Sequence, residues 1–124
     1  MKKNETPLET EEQISFVEYC AGKGIRAIST QNGTYIPKKK GFNHFAYINR
    51  QKRMGLADGF PDLIILAKNS EHEVLFLEMK RQKGGKLRDE QQEWIEYLDG
   101  ENYAVGVAYG CDSAIRILNK YLEM

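Results

Sequence analysis

The chain has 124 residues, 41% of them apolar, with 18 basic and 18 acidic side chains and a formal net charge of zero. This describes one soluble domain with a moderate core, and it argues against binding polyanions by bulk charge. No apolar run could span a membrane, the start Met1-Lys2-Lys3-Asn4-Glu5 lacks a secretory signal, and Cys20 and Cys111 are too few for a disulfide framework, so a cytoplasmic, reducing location is expected.

The pattern predicts a helix from Thr10 to about Gly22, with Phe16, Val17, Cys20 and Ala21 as its apolar stripe. A strand follows over Ile25 to about Thr30. Residues 31–41 read as a loop with an Asn-Gly turn and the basic run Lys38-Lys39-Lys40. The stretch 42–54 shows no clear period; a helix is one reading, with a turn from Gly55 to Gly59. Strands are expected over Asp62–Ala67 and Val74–Arg81, joined through Asn69-Ser70-Glu71-His72. After a Gly-Gly loop at 82–86, a helix runs from Leu87 to Leu98, with Trp94, Ile95 and Leu98 as its packing face. Tyr103–Tyr109 reads as a fourth strand. Asp112 is the expected N-cap of a last helix to about Leu122. That order predicts an α/β fold, a mixed sheet flanked by helices. His44 and His72 are expected at the surface, with no second ligand at useful spacing. Both cysteines are expected to act as small buried hydrophobes.

The chemistry concentrates in two strands. Gly59-Phe60-Pro61-Asp62 places an aspartate at the mouth of an apolar run, and Leu75-Phe76-Leu77-Glu78-Met79-Lys80 places a glutamate and a lysine on the next. Strand side chains alternate, so Glu78 and Lys80 share a face, roughly 7 Å apart. Taken singly, Pro-Asp is an ordinary turn and Glu-x-Lys an ordinary exposed ion pair. Together they continue a face that starts apolar at Phe76, where an unpartnered charge is costly. A hard cation would supply the partner: magnesium takes a few carboxylate oxygens and keeps several waters.

The series Gly59, Pro61, Asp62, Leu63, Glu78, Lys80, Gln91 and Trp94 resembles the VRR-Nuc branch of the PD-(D/E)XK nucleases, in the stand-alone form found in phages and bacteria. The likeness runs from about Glu9 to Leu118. It implies a single nuclease domain over 1–124 with a restriction-endonuclease-like αβββαβ core. It implies Mg²⁺ or Mn²⁺ held by Asp62, Glu78 and the main-chain carbonyl of Met79, with a glutamate from the first helix. Glu9 lies on the inward stripe with Gln13, Val17 and Cys20; Glu12, which shares Phe16's stripe, is the alternative, and Glu11 competes. All three acids also suit a helix N-terminus. Lys80 would orient or help deprotonate the attacking water. Nearby carboxylates favour its charged form, so positioning is the preferred role. Gln91, being neutral, would hydrogen-bond the nucleophile or a phosphate.

Three basic clusters flank this site in sequence: Lys38, Lys39 and Lys40; Arg50, Lys52 and Arg53; and Arg81, Lys83, Lys86 and Arg88. Phosphate contacts position DNA without reading its sequence, so recognition of DNA structure is expected. The implied activity is a metal-dependent endonuclease on branched DNA such as four-way junctions, working as a homodimer whose two-fold axis suits paired cuts. The aromatic stretch 31–57, with Tyr35, Phe42, Phe45 and Tyr47, would supply the interface. The alternatives are a flap or nicking nuclease, an exonuclease, or a non-cutting DNA- or protein-binding module on a nuclease fold. Intact Asp62, Glu78 and Lys80 speak against the last.

Overall fold

The runs Leu63-Ile64-Ile65-Leu66 and Leu75-Phe76-Leu77 are apolar on both faces, and they become neighbouring strands covered by helices on both sides. The computed structural model describes residues 6–30 and 39–124. In chain order these form α1 (Glu9–Gly22), β1 (Arg26–Ser29), α2 (His44–Arg53), β2 (Leu63–Leu66), β3 (Leu75–Lys80), α3 (Asp89–Gly100), β4 (Ala104–Tyr109) and α4 (Cys111–Leu122). The sheet order is β1-β2-β3-β4. The first two pairings are antiparallel and β3 runs parallel to β4. Parallel neighbours need a crossover, and α3 provides it.

Alternation along β3 sorts the two layers. Leu75, Leu77 and Met79 join Phe16 and Cys20 of α1, Leu63 and Ile65 of β2, and Ala114, Leu118 and Tyr121 of α4 in one core. Burying each large side chain there contributes about 1.5–3 kcal/mol. The opposite face carries Phe76, whose ring meets Phe60 and Tyr103 edge-on, while Phe60 meets Trp94 of α3. Tyr121 also ties the far end of the sheet to α4, its hydroxyl donating to the Ala67 carbonyl at 2.7 Å.

One open stretch resolves and two local expectations change. The ambiguous stretch 42–54 contains a true helix, α2, begun by Asn43, whose Oδ1 accepts from the Ala46 N–H at 3.0 Å. Its last turn carries Arg50, Lys52 and Arg53, which complement the negative end of the helix dipole. Asp112 is not a cap. Gly110 holds that position at φ +95°, and Asp112 lies in the first turn of α4. A side chain at Gly110 would strike Glu12 and Gln82, which explains why no capping side chain stands there. Cys20 is buried and Cys111 is half-buried, and both are free thiols. No helix among the described residues is long and apolar enough to cross a membrane. Lys38 and Tyr35 lie outside the described residues.

Candidate active site

Asp62 stands one residue before β2. The antiparallel ladder pairs Leu63 with Leu77, so one further step sets Asp62 opposite Glu78. The Asp62 carboxylate is fixed by its neighbour: Oδ2 accepts from the Met79 N–H at 2.8 Å. The N–H and C=O of one strand residue point to the same side. The Met79 carbonyl therefore also points to the Asp62 side, past the end of β2. The backbone behind Asp62 is held by Thr30, whose N–H donates to the Asp62 carbonyl at 2.9 Å and whose Oγ1 donates to the Pro61 carbonyl at 2.7 Å.

The glycine of Gly-x-Pro-Asp has a double reason. Gly59 sits at φ +85°, and a Cβ there would lie 2.7 Å from the carbonyl carbon of Glu90 in the first turn of α3. The turn before β2 is thus pressed directly on the start of α3. That contact brings Gln91 to the carboxylates. Gln91 is buried; its Oε1 accepts from the Arg88 N–H at 2.9 Å, and its Nε2 donates to Glu78 Oε2 at 3.2 Å. Both ends of its amide are engaged, so its role here is to hold Glu78 and cap α3.

Glu78 is 1% exposed, and its Oε1 is buried with no hydrogen-bond donor. Burial pushes its carboxyl up from 4.5 to about 9; the Asp62 carboxyl beside it adds to this, while Lys80 opposes it. Glu9 reaches the same field from α1. Its carboxyl is raised by burial and then by Asp62, with Lys80 again opposing. Lys80 is itself buried. Three carboxyl groups thus share a field with Lys80, and the crowding keeps a proton on Glu78 that a bound cation would displace.

Glu12 is buried but turned elsewhere. Its Oε2 accepts from Gln82 Nε2 at 2.8 Å, beside Gly110. Of the competing helix acids, only Glu9 couples to Asp62 and Glu78; Glu11 is exposed. Among the described residues no three His, Cys, Asp or Glu side chains converge into a ready-made metal cage. Two carboxylates, a backbone carbonyl and waters nevertheless suit magnesium. The unpartnered Glu78 Oε1 and the all-oxygen donor set fit such an ion.

The basic residues separate into users and non-users of the fold. Arg81 is spent on structure: Nη2 donates to the Thr6 carbonyl at 2.8 Å and Nε to the Pro7 carbonyl at 3.3 Å. Together with Gln82 it clamps the start of α1, which carries Glu9. No pattern in the sequence pointed to this clamp. Arg88 lies 3.8 Å from Asp58 and 3.9 Å from Glu90. Lys39, Lys40, Arg50, Lys52, Arg53, Lys83 and Lys86 are exposed. His44 is exposed on α2 and His72 is half-buried beside Tyr121; neither joins the carboxylates.

The profile of the VRR-NUC domain matches residues 3–112, which includes every residue of the carboxylate cluster. A solved structure described as a VRR_NUC domain protein is 28% identical, with a TM-score of 0.69 over 96% of this chain and 91% of its own. A search of curated proteins gives no match. With the motif glycine, the paired acids and the helix glutamine placed as described, the chain belongs to the VRR-NUC family, a nuclease-type domain.

Proposed function

We propose that the protein is a metal-dependent, structure-selective DNA endonuclease of the PD-(D/E)XK kind, hydrolysing phosphodiester bonds in branched DNA such as four-way junctions. Glu78 supports this reading most: a carboxylate buried to 1% exposure, opposite Asp62, with one oxygen held by Gln91 and the other without a donor. Asp62, Glu78 and the Met79 carbonyl would hold Mg²⁺ or Mn²⁺, with Glu9 at the rim. Bound there, the ion supplies a Lewis acid for a phosphate oxygen and a lower pKa for its water. The chain's own residues supply the order. Met79 N–H and Gln91 stop the two carboxylates from rotating. The Lys80 ammonium offsets charge building on the phosphate and orients a water. Lys38, Lys39, Lys40, Arg50, Arg53, Lys83 and Lys86 would track the DNA backbone.

A homodimer belongs to the same reading. Phe45 is 85% exposed and Met54 71%, both beside or on a helix that packs on no other element. A second copy would cover them. The test combines Mg²⁺ with labelled four-way junctions, flaps, forks and plain duplex, and measures mass by light scattering. Paired cuts across the junction by a species of twice the chain mass are expected. Single-chain mass with cuts only at flaps would favour the monomeric flap nuclease. Binding without any cut would favour the non-cutting module.

Glu78 also sets a pH dependence. Its folded carboxyl is raised from 4.5 to about 9, so at neutral pH the metal-free fold holds a proton that the unfolded chain releases. The stability from that proton is fully present below 4.5 and is lost as pH rises towards 9. The metal-free melting temperature should therefore fall over that range, and Mg²⁺ should restore it more at the alkaline end. Metal binding needs the ionised carboxylate, so its affinity should rise by up to roughly tenfold per pH unit, with release of about one proton. Calorimetry in buffers of different protonation enthalpy measures both. An affinity independent of pH would remove Glu78 from the ligand set.

A further inference from the structure

A cavity of about 350 Å³ is lined by Thr30, Gly55, Leu56, Ala57, Phe60 and Trp94, on the segment that leads into Asp62. We infer that it receives an unpaired nucleobase of the DNA, taken out of the stack next to the cleaved phosphate. The inference rests on the nuclease reading and adds to it the feature of the DNA that is recognised.

The lining carries no ionisable group, so neither a phosphate nor a cation finds a partner there. A flat heteroaromatic ring finds two aromatic side chains, an aliphatic wall and a threonine. Stacking on such surfaces is sequence-tolerant, because every base has a π-face. The size is at the small end of ligand pockets, about 300–1,000 Å³.

Position carries the argument further. Phe60 is two residues from Asp62, and Thr30 is bonded to the carbonyls of Pro61 and Asp62. The cavity wall is therefore attached to the carboxylate site. On its other side the wall continues from Gly55 back into α2, where a cleft of about 630 Å³ is lined by Ala46, Asn49, Arg50, Arg53 and Met54. Along the stretch 50–62 the order is the Arg50 and Arg53 cations, the neutral cavity lining, with Asp58 turned to Arg88 and the neighbouring cavity, and then Asp62. A nucleotide strand offers the matching order of phosphate, base and scissile phosphate. The neighbouring cavity on α3, lined by Asp58, Glu90, Glu93, Trp94 and Tyr97, is rimmed by three acids and would repel a phosphate.

This assigns structure selectivity to a specific cost. Unstacking a base costs least where it is already unpaired, at a branch, a bulge or a single strand. A perfect duplex must bear the full cost and is disfavoured without any base being read.

Trp94 is the only tryptophan of the chain, so its fluorescence reports on the cavity. Metal-free protein in chelator is titrated with three duplexes of equal length: one with an extra unpaired thymidine, one with an abasic residue in its place, one fully paired. The abasic duplex keeps the backbone kink but offers no base. The expected result is quenching of Trp94 and about tenfold tighter binding for the thymidine duplex over the abasic one. Equal quenching and equal affinity for those two overturns the inference. Ala57→Phe fills the cavity; a folded A57F should lose the thymidine preference and bind the paired duplex within about twofold of the parent. Retained preference in folded A57F overturns it as well, and if A57F does not fold, the three-duplex comparison decides alone. Base-dependent quenching without cleavage in Mg²⁺ would support the cavity and overturn the nuclease reading. Cleavage with base-independent quenching would do the reverse.

Discussion

Glu78→Gln should abolish cleavage and, at the same time, make the metal-free protein more stable at pH 8. The two effects have one source. The carboxyl is buried, pushed up to about 9, and has one oxygen without a donor. At pH 8 the fold must either keep a proton on it or bury an unpaired charge, and both cost stability. Glutamine keeps the shape and removes the charge. Losing one metal ligand forfeits several kcal/mol of transition-state stabilisation, a fall of roughly a thousandfold or more. The melting temperature without metal should rise by a few degrees, about 1 kcal/mol for a domain of this size. Asp62→Asn is the partner test. It retains an oxygen for the Met79 N–H, which Asp62→Ala would leave unpaired at about 1–3 kcal/mol. Full cleavage by E78Q at saturating Mg²⁺ would sink the ligand assignment.

Gly59→Ala should cost the fold heavily, because it combines a strained backbone with a clash against backbone. An L-residue at φ +85° is strained by about 1–2 kcal/mol. The new Cβ would also meet the backbone of Glu90 at 2.7–2.8 Å, and overpacking of this kind adds about 1–3 kcal/mol. The sum, about 2–5 kcal/mol, is a large share of a typical domain's 5–15. Glu90 is backbone in α3 and cannot swing aside, so the helix start must move and draw Gln91 off Glu78. G59A should therefore lower both the urea midpoint and the Mg²⁺ affinity. Gly55→Ala is the control: its φ is +108°, with nothing within 4 Å of the added methyl. Equal losses in the two variants would mean that the contact with α3 has no part in the site.

The sheet was legible because its strands are short, apolar and bounded by turns; the αβββαβ core itself was implied by the family resemblance. Asp62, Glu78 and Lys80 were legible because period two is a property of the strand itself. The choice between Glu9 and Glu12 was not legible. Three residues apart, they share a helix side, and only Gln82 and Gly110, distant in sequence, take Glu12 away. Arg81 looked like any other cation of its cluster. Its donors go to carbonyls 74 and 75 residues away, which no local pattern encodes. The N-terminus of α4 was misread at Asp112 because a capping side chain is the usual solution, and here close packing excluded one.

The isolation of α2 has a consequence for how such a protein changes over generations. Among the described residues this helix packs on no other helix or strand, and none of its side chains is buried. Substitutions on an exposed surface of this kind stay within about 0.5 kcal/mol of neutral. Asn43 is the exception, since it caps the first turn. The cations that face outward can thus be changed with the fold untouched, whereas Gly59, a few residues later, admits no side chain without displacing the start of α3.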